Sequence, residues 1–140
     1  MTEYADLPLM QFAFPGPLRD KLVAAVLDGS KTTTSGLVED YEHEGEPIPR
    51  AGEQALVIDS DERPVAVIEI TEVRVVRLAD VDWPHARDEG EGFTSVAAWR
   101  ADHEKFWHSP EMRDAMGDPE FTVHDDTLVV AKRFAVVERF

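Results

Sequence analysis

The chain has 140 residues, the length of one average domain, which is enough to bury a hydrophobic core. It contains no cysteine, which excludes disulfides and thiolate metal sites. Its 14 basic residues stand against 29 acidic ones and give a net charge of −15, so we do not expect it to coat a phosphate backbone by releasing counterions. Any nucleic acid would have to be recognised in a small pocket, by one or a few nucleotides.

The sequence shows no segment for membrane insertion or export. No apolar run approaches the roughly 20 residues that span a bilayer. The segment 1–10 carries two carboxylates and no basic side chain, which is the wrong charge for a signal peptide. We therefore expect a cytoplasmic protein that does not bind membranes. We treat residues 1–140 as a single domain, with residues 1–16 as an N-terminal arm or lid.

The first half of the chain predicts two helices separated by loops. Proline suits a first helical turn and glycine suits a helix end, so the longer helix should run from Pro17 to about Asp28 and stop at Gly29. A loop over residues 31–35 follows. A short acidic helix is expected over 37–44, and the prolines and glycines of 45–52 predict a second loop.

The second half predicts strands around one clear helix. Runs rich in β-branched residues mark strands at 55–58, 64–78 and 127–137. Both faces of the long stretch 64–78 are partly apolar, which favours a strand curving through a barrel. Thr94 is the expected cap of the helix, which ends at Ser109-Pro110, and Trp83 is placed in a loop. The predicted fold class is α+β: a small mixed, mostly antiparallel β-barrel with flanking helices.

The loop Lys31-Thr32-Thr33-Thr34-Ser35 is the most unusual stretch for chemistry. It places one ammonium beside four hydroxyls, which could bind a phosphate or a base edge, or form an activated nucleophile. The alternative is structural, because threonine and serine satisfy backbone groups in loops and a lysine favours a helix C-terminus. Composition alone favours the structural interpretation.

A second polar stretch and a helical stripe offer further candidates. In Glu89-Gly90-Glu91-Gly92 a carboxylate could act as a general acid or base, or could simply favour a nearby helix N-terminus. Trp99 and His103 lie on the apolar stripe of the second clear helix, where they either line a pocket or belong to the core. His103 and His108 are five residues apart, which is not the four-residue spacing of a helical metal site. We predict no metal and no cofactor.

The order and spacing of several segments resemble the ASCH domain family, and the resemblance covers most of the chain. The segments that carry the resemblance are Gly29-Ser30-Lys31-Thr32-Thr33-Thr34-Ser35, residues 41–49 with Gly52, residues 68–73, Glu89-Gly90-Glu91-Gly92, Trp99-Arg100 with His103, and Arg133-Phe134. The resemblance implies a PUA-like β-barrel of the kind found in RNA-associated proteins. It also implies a cleft beside the lysine loop that accepts a nucleotide or nucleoside.

Members of this family include RNA-binding modules, ribonucleases and amidohydrolases that remove the acyl group of N4-acylcytidine. In the amidohydrolases the proposed catalytic set is a lysine, a threonine three residues later and a downstream glutamate. The resemblance carries these roles onto Lys31, Thr34 and Glu89. Lys31 would accept the proton of Thr34, Thr34 would attack the acyl carbonyl, and Glu89 would protonate the leaving amine.

The resemblance also implies residues that hold the ligand, and Glu91 competes with Glu89 for the acid role. The predicted ligand-binding residues are Thr33, Ser35, Glu91, Trp99, His103 and Arg133. The expected partner is a nucleoside or short single-stranded RNA bound in a cleft, and the sequence does not define the oligomeric state. The leading hypothesis is an ASCH-type protein that recognises RNA or nucleosides, with deacylation of N4-acylcytidine as a possible activity. The alternatives are a non-catalytic RNA-binding module, a ribonuclease, and an acidic protein-interaction domain.

Overall fold

Residue 4 and residues 6–140 are described by the computed structural model, and they contain five strands and five α-helices. In chain order these are β1 (Leu9–Met10), α1 (Pro17–Asp28), β2 (Thr33–Leu37), α2 (Val38–Glu44), β3 (Gln54–Ile58), β4 (Pro64–Arg77), α3 (Trp83–Asp88), α4 (Val96–Trp107), α5 (Pro110–Ala115) and β5 (Leu128–Arg139). A 3-10 turn, Leu78–Asp80, follows β4. Among these residues no helix combines the length and the apolar character needed to cross a membrane.

The strands form one sheet in the order β1-β3-β4-β5-β2. The β1–β3 pair is parallel and the other pairs are antiparallel, which confirms the mixed, mostly antiparallel α+β class. The predicted barrel is wrong, because β1 and β2 are the two edges of the sheet and do not pair with each other in the described residues. Register shifts between Val67 and Ile68 and between Ile70 and Glu72 bend the long strands without closing the sheet.

The apolar residues on both faces of the long strands have another explanation. The buried side chains form two clusters, one built with α1 and one built with α3, α4 and α5. On β5, Phe134 belongs to the first cluster and Val129 to the second, and alternate strand residues point to opposite faces. Helices therefore bury both faces of the sheet, which gives the same sequence pattern as a barrel strand.

Three local predictions also need correction. The expected loop 31–35 is mostly strand, since Thr33–Leu37 pairs with residues 129–133 of β5, and β-branched threonine suits that environment. Helix α4 is capped by Ser95, whose hydroxyl accepts the backbone N–H of Ala98, and Thr94 lies outside it. Trp83 is helical, because it opens α3 behind the capping carboxylate of Asp82.

Part of the predicted N-terminal arm is tied into the folded core. Residues 1–3 and 5 lie outside the described residues, Leu9 and Met10 pair with β3, and Phe12 is buried. The buried guanidinium of Arg19 donates hydrogen bonds to the backbone carbonyls of Phe12, at 3.2 Å, and Ala13, at 2.8 Å. It also donates to the carbonyl of Asp59, at 3.3 Å, so one side chain joins the arm to the β3–β4 turn.

Replacing Arg19 with methionine tests this anchor. Arg19→Met should lower the free energy of unfolding by about 2–4 kcal/mol, because buried carbonyls lose their donors while the aliphatic stem is kept. Chemical denaturation measures the change. The control is Arg63→Met, which removes an exposed arginine with only carboxylate partners and should have little effect. Equal effects of the two variants would contradict the anchoring role.

Candidate functional site

Backbone contacts bring the end of α1 against the segment that follows α3. The left-handed Gly29 ends α1, and the N–H of Lys31 turns back to donate to the carbonyl of Ala25 at 3.1 Å. Gly90 has a φ of 74°, and a Cβ built on it would lie 2.4 Å from the carbonyl oxygen of Ser30. Only glycine allows this approach, which places the side chain of Lys31 beside that of Glu89.

The carboxylate of Glu89 is the centre of a buried polar cluster. Its Oε1 lies 3.4 Å from Lys31 Nζ and 3.2 Å from His103 Nε2. Its Oε2 accepts hydrogen bonds from Ser35 Oγ at 2.8 Å and from the indole N–H of Trp99 at 2.7 Å. Lys31 and Glu89 are each 2% exposed, so the four donors surround a carboxylate that has almost no contact with solvent.

These contacts keep Glu89 ionised. Burial by itself would raise the pKa of the Glu89 carboxyl, but the charge of Lys31 and the hydrogen bonds from His103 and His85 outweigh it. The pKa of Glu89 is therefore held well below its ordinary value. At neutral pH the carboxylate accepts protons in hydrogen bonds and has none of its own to give.

His103 is the cationic partner of this carboxylate. Its Nδ1 faces the carbonyl of Trp99 at 2.8 Å and must donate, and its Nε2 faces Glu89, so both ring nitrogens carry hydrogen. Burial would lower the pKa of His103, but the hydrogen bond and charge of Glu89 outweigh it and raise the pKa. Trp99 stacks on the imidazole at a centroid distance of 4.2 Å and fixes its position.

His85 was missed by the sequence analysis, although it holds two predicted site residues. Its Nε2 lies 2.7 Å from Ser35 Oγ, and its carbonyl accepts the hydroxyl of Thr33 at 2.8 Å. His85 and Glu89 are four residues apart, which places their side chains on one side of α3. An aspartate cap followed by a proline, Asp82 and Pro84, was a usable signal for this helix.

The predicted site residues reach this cluster to different extents. Lys31, Ser35, Glu89, Trp99 and His103 meet directly. Trp99 is fully buried, so in this structure it contributes its indole N–H rather than an open ring face. Thr33 is fully buried as well, with its hydroxyl on the His85 carbonyl. Arg133 lies at the more exposed rim, where it pairs with Asp88 at 3.0 Å.

Glu91 lies beside the cluster in a different environment from Glu89. It is half-buried, and burial raises its pKa, with the charge of Lys31 opposing that shift and the charge of Glu89 adding to it. The two carboxyls therefore differ in the direction of their pKa shifts. Among the residues that the structure describes, Glu89, Glu91 and His103 each offer one potential metal-ligand atom, and these three atoms lie within 4.8 Å of one another.

That trio does not resemble a vacant metal site. Metal ligation would require Glu89 to give up some of its four hydrogen-bond donors, and Lys31 already places a positive charge 3.4 Å from Oε1. A divalent cation would be repelled by that ammonium and by His103. The absence of a metal stays a prediction.

Thr34 makes no direct contact with the Glu89 carboxylate among the described hydrogen bonds. Strand residues alternate in direction, so Thr34 points away from the side occupied by Thr33 and Ser35. It is half-buried and pairs with Lys132 across β2 and β5, and in the described part of the chain its hydroxyl makes no hydrogen bond. Lys132 is buried and donates to the hydroxyl of Tyr41 at 2.7 Å. Neither Lys132 nor Tyr41 was predicted, although a lysine between Val130 and Phe134 in an apolar strand was a visible anomaly.

The fold and the site define an α+β domain with a buried, charged cluster at the edge strand of a mostly antiparallel sheet. The pattern of the ASCH domain matches residues 9–138, and the chain belongs to the ASCH domain family. Domains of this family have a PUA-like fold and are generally RNA-binding. The family resemblance seen in the sequence is therefore confirmed.

Two crystal structures share the fold at similar levels of identity. An ASCH domain from Lactobacillus crispatus is 27% identical with a TM-score of 0.79, over 97% of this chain and 82% of that one. A protein from Enterococcus faecalis is 25% identical with a TM-score of 0.81, over 94% of this chain and 77% of that one. No curated protein matches the sequence.

The close approach at Gly90 can be tested against a second glycine with similar backbone. Gly92 also has positive φ, 81°, but a Cβ there would meet nothing within 4 Å. Gly92→Ala should therefore cost only the backbone strain, about 1–2 kcal/mol. Gly90→Ala should lower the free energy of unfolding by clearly more, because the methyl group also collides with Ser30. If chemical denaturation showed equal losses of unfolding free energy for the two variants, the approach of Gly90 to Ser30 would not be tight.

The ion pair of His103 predicts a pH dependence. The titration midpoint of His103, measured by NMR of the ring, should lie above the usual value of about 6.5 and fall in Glu89→Gln. Since the folded-state pKa is raised, the stability that His103 contributes is fully present below about pH 6.5. It is lost as the pH rises through the folded-state value. A midpoint unchanged by Glu89→Gln would refute the ion pair; His108, whose ring in the described residues bonds to Thr122 and the backbone N–H of Val123 and to no carboxylate, is the internal control.

Proposed function

We propose that this site recognises a nucleoside or a short single-stranded RNA segment and hydrolyses the acyl amide of N4-acylcytidine-like nucleosides. The observation that carries the proposal is the buried Lys31–Glu89 pair, with three further donors to the Glu89 carboxylate. Keeping two charges out of water costs several kcal/mol per ion before their attraction is counted. Apolar side chains would fill the same space, and such perturbed charges concentrate at functional sites.

In this proposal Lys31 acts as a fixed cation. Glu89 at 3.4 Å and the face of the Phe12 ring, whose centroid is 5.7 Å away, both favour the charged ammonium. Thr34 points to the other side of β2 from Ser35, but the charge of Lys31 also acts on Lys132, the cross-strand partner of Thr34. The Lys31 ammonium can therefore stabilise negative charge that develops on the acyl oxygen when Thr34 attacks the carbonyl. This role differs from the proton acceptor that the family resemblance implies for Lys31.

The same reasoning assigns the acid role to Glu91 rather than Glu89. When two neighbouring carboxyls have their pKa values pushed apart, the one with the raised value is the better proton donor. Glu91 is that group, and Glu89 is the ionised anchor that holds Lys31 and His103. Glu91 would protonate the exocyclic nitrogen as the acyl group leaves.

Charge around the site favours a small, uncharged substrate over long RNA. Arg133 and Lys31 are each paired with a carboxylate, so neither offers its full charge to a phosphate. The chain as a whole carries a net charge of −15. Extended RNA would therefore bind weakly at physiological salt, which makes ribonuclease activity the weaker hypothesis.

A non-catalytic RNA- or nucleoside-binding module is the second candidate. The observation in its favour is that the Thr34 hydroxyl, within the described residues, has no hydrogen-bonded base. A nucleophile normally lies within hydrogen-bond reach of its base, although this contact is often looser without substrate. The general RNA-binding character of the family supports the same candidate.

The deciding experiment is cytidine release from N4-acetylcytidine, followed by chromatography. We expect release by the wild type and a loss of roughly 10²–10⁴-fold in kcat for Glu91→Gln, the usual contribution of a general acid. Lys31→Met should lose at least as much, since it removes the cation and leaves Glu89 buried without its partner. Lys21→Met, at an exposed lysine on α1 ten residues before Lys31, is the control and should retain full activity.

The outcomes separate the candidates. Intact substrate at high enzyme concentration would reject the amidohydrolase. If cytidine then still raised the melting temperature, the binding module would be supported. Salt-sensitive binding to long RNA would support RNA recognition without deacylation. If no nucleoside bound or reacted, the acidic protein-interaction domain would be the remaining hypothesis.

A further inference from the structure

Lys132 is a buried amine that, among the described residues, has no carboxylate in direct contact. It lies in the middle of β5 and is 6% exposed. Its side-chain hydrogen bond goes to the neutral phenol of Tyr41, and within the described residues no carboxylate oxygen lies within 4.0 Å of its Nζ. Lys31 offers the contrast, since its Nζ is paired with Glu89. A buried lysine with only a phenol as its partner is poorly suited to carry a permanent positive charge.

The sheet places this amine beside Thr34. Thr34 and Lys132 are directly opposite each other in the antiparallel β2–β5 pair, so their side chains project from the same side. Gly36 follows on that side, and a Cβ on it would lie 3.4 Å from the ring of Tyr41. Tyr41 of α2 therefore lies over this side of β2, where its hydroxyl contacts Lys132.

We propose that Lys132 is the proton acceptor for the Thr34 hydroxyl, an assignment that rests on the deacylation proposed above. As the Thr34 oxygen bonds to the acyl carbon, its proton passes to the neutral amine of Lys132. The carbon–nitrogen bond then breaks, and the leaving amine takes a proton from Glu91. The proton on Lys132 returns to Glu91 through solvent, so the amine is neutral again. Water then attacks the acyl ester and gives a proton to Lys132, which passes it to the Thr34 oxygen as the carbon–oxygen bond to Thr34 breaks and the carboxylic acid leaves.

Electrostatics makes the Lys132 amine partly neutral near physiological pH. Burial, with the nearby charge of Lys31, lowers the pKa of Lys132 to about 8, while Asp40 of α2 and Glu89 oppose the shift. Burial, with Asp40 and Glu46, raises the pKa of Tyr41 to about 12, so the phenol stays neutral beside it. About half of the Lys132 side chains would be deprotonated at pH 8, against a small fraction for an ordinary lysine.

The first test does not depend on activity. The chain has only four lysines, so the side-chain nitrogens can be resolved by NMR and Lys132 assigned by its loss in Lys132→Arg. The titration midpoint of Lys132 should lie near 8 in the wild type. It should rise in Lys31→Met, which removes a repelling charge, and fall in Asp40→Asn, which removes an attracting one. A midpoint near the ordinary 10.4 would overturn the proposal.

The second test links that titration to the reaction. In the wild type, kcat/KM for N4-acetylcytidine should rise with pH through the same midpoint, and in Asp40→Asn this limb should move to lower pH with the NMR signal. Lys132→Arg keeps the charge but cannot accept a proton, so kcat should fall roughly 10²–10⁴-fold with KM little changed. If the arginine variant fails to fold in a thermal melt, Lys132→Met and the Asp40→Asn profile carry the test.

The results distinguish this proposal from the one on which it rests. The role of Lys132 would be overturned if a folded Lys132 variant still deacylated the substrate, or if the rise of kcat/KM with pH did not move in Asp40→Asn. The amidohydrolase activity itself would remain supported in both cases. No cytidine release by the wild type would overturn both. The assignment would be supported if cytidine release disappeared in Lys132→Met and the pH dependence of kcat/KM moved to lower pH in Asp40→Asn.

Discussion

The buried contact between Lys31 and Glu89 is the interaction on which the rest of the site depends. It joins two chain segments that the sheet alone would not connect: the start of β2 and the turn after α3. Once the carboxylate is buried it needs compensation, and Ser35, Trp99 and His103 supply it through hydrogen bonds. Trp99 in turn belongs to the second hydrophobic cluster, so the polar centre and the core fix each other's geometry.

Two buried lysines lie near this centre in opposite electrostatic situations. Each lies near the face of an aromatic ring, but Lys31 also has a carboxylate in direct contact. Lys132 has a phenol as its hydrogen-bond partner, and burial with the repulsion of Lys31 lowers its pKa. The first is suited to stabilising an anion and the second to accepting a proton. Glu89 and Glu91 differ in the same way, because saturation with donors keeps Glu89 ionised while half-burial favours the protonated form of Glu91.

Much of the secondary structure could be predicted because it follows from local rules. Helix α1 begins at Pro17 and ends before Gly29 as predicted, and β4 and β5 follow their runs of β-branched residues. The predicted barrel was the main error. Apolar residues on both faces of a strand indicate only that both faces are buried, and helices on the two sides of an open sheet bury them as well as a barrel does. The strand Thr33–Leu37 was missed because a threonine-rich segment is compatible with either a loop or an edge strand until its partner, β5, is known.

The sequence by itself determined the class of the protein: its α+β composition, its acidity, and the spaced segments that identify an ASCH domain. It also indicated Lys31, Glu89 and His103, since they lie in the segments that carry the resemblance. Only the tertiary structure decided which groups are charged and which face one another. Glu89 and Glu91 are nearly equivalent in sequence, and Lys132 differs from any other strand lysine only in its surroundings. Protonation depends on burial and on partners up to 91 residues away in the chain, as for Lys132 and Tyr41, which no local pattern encodes.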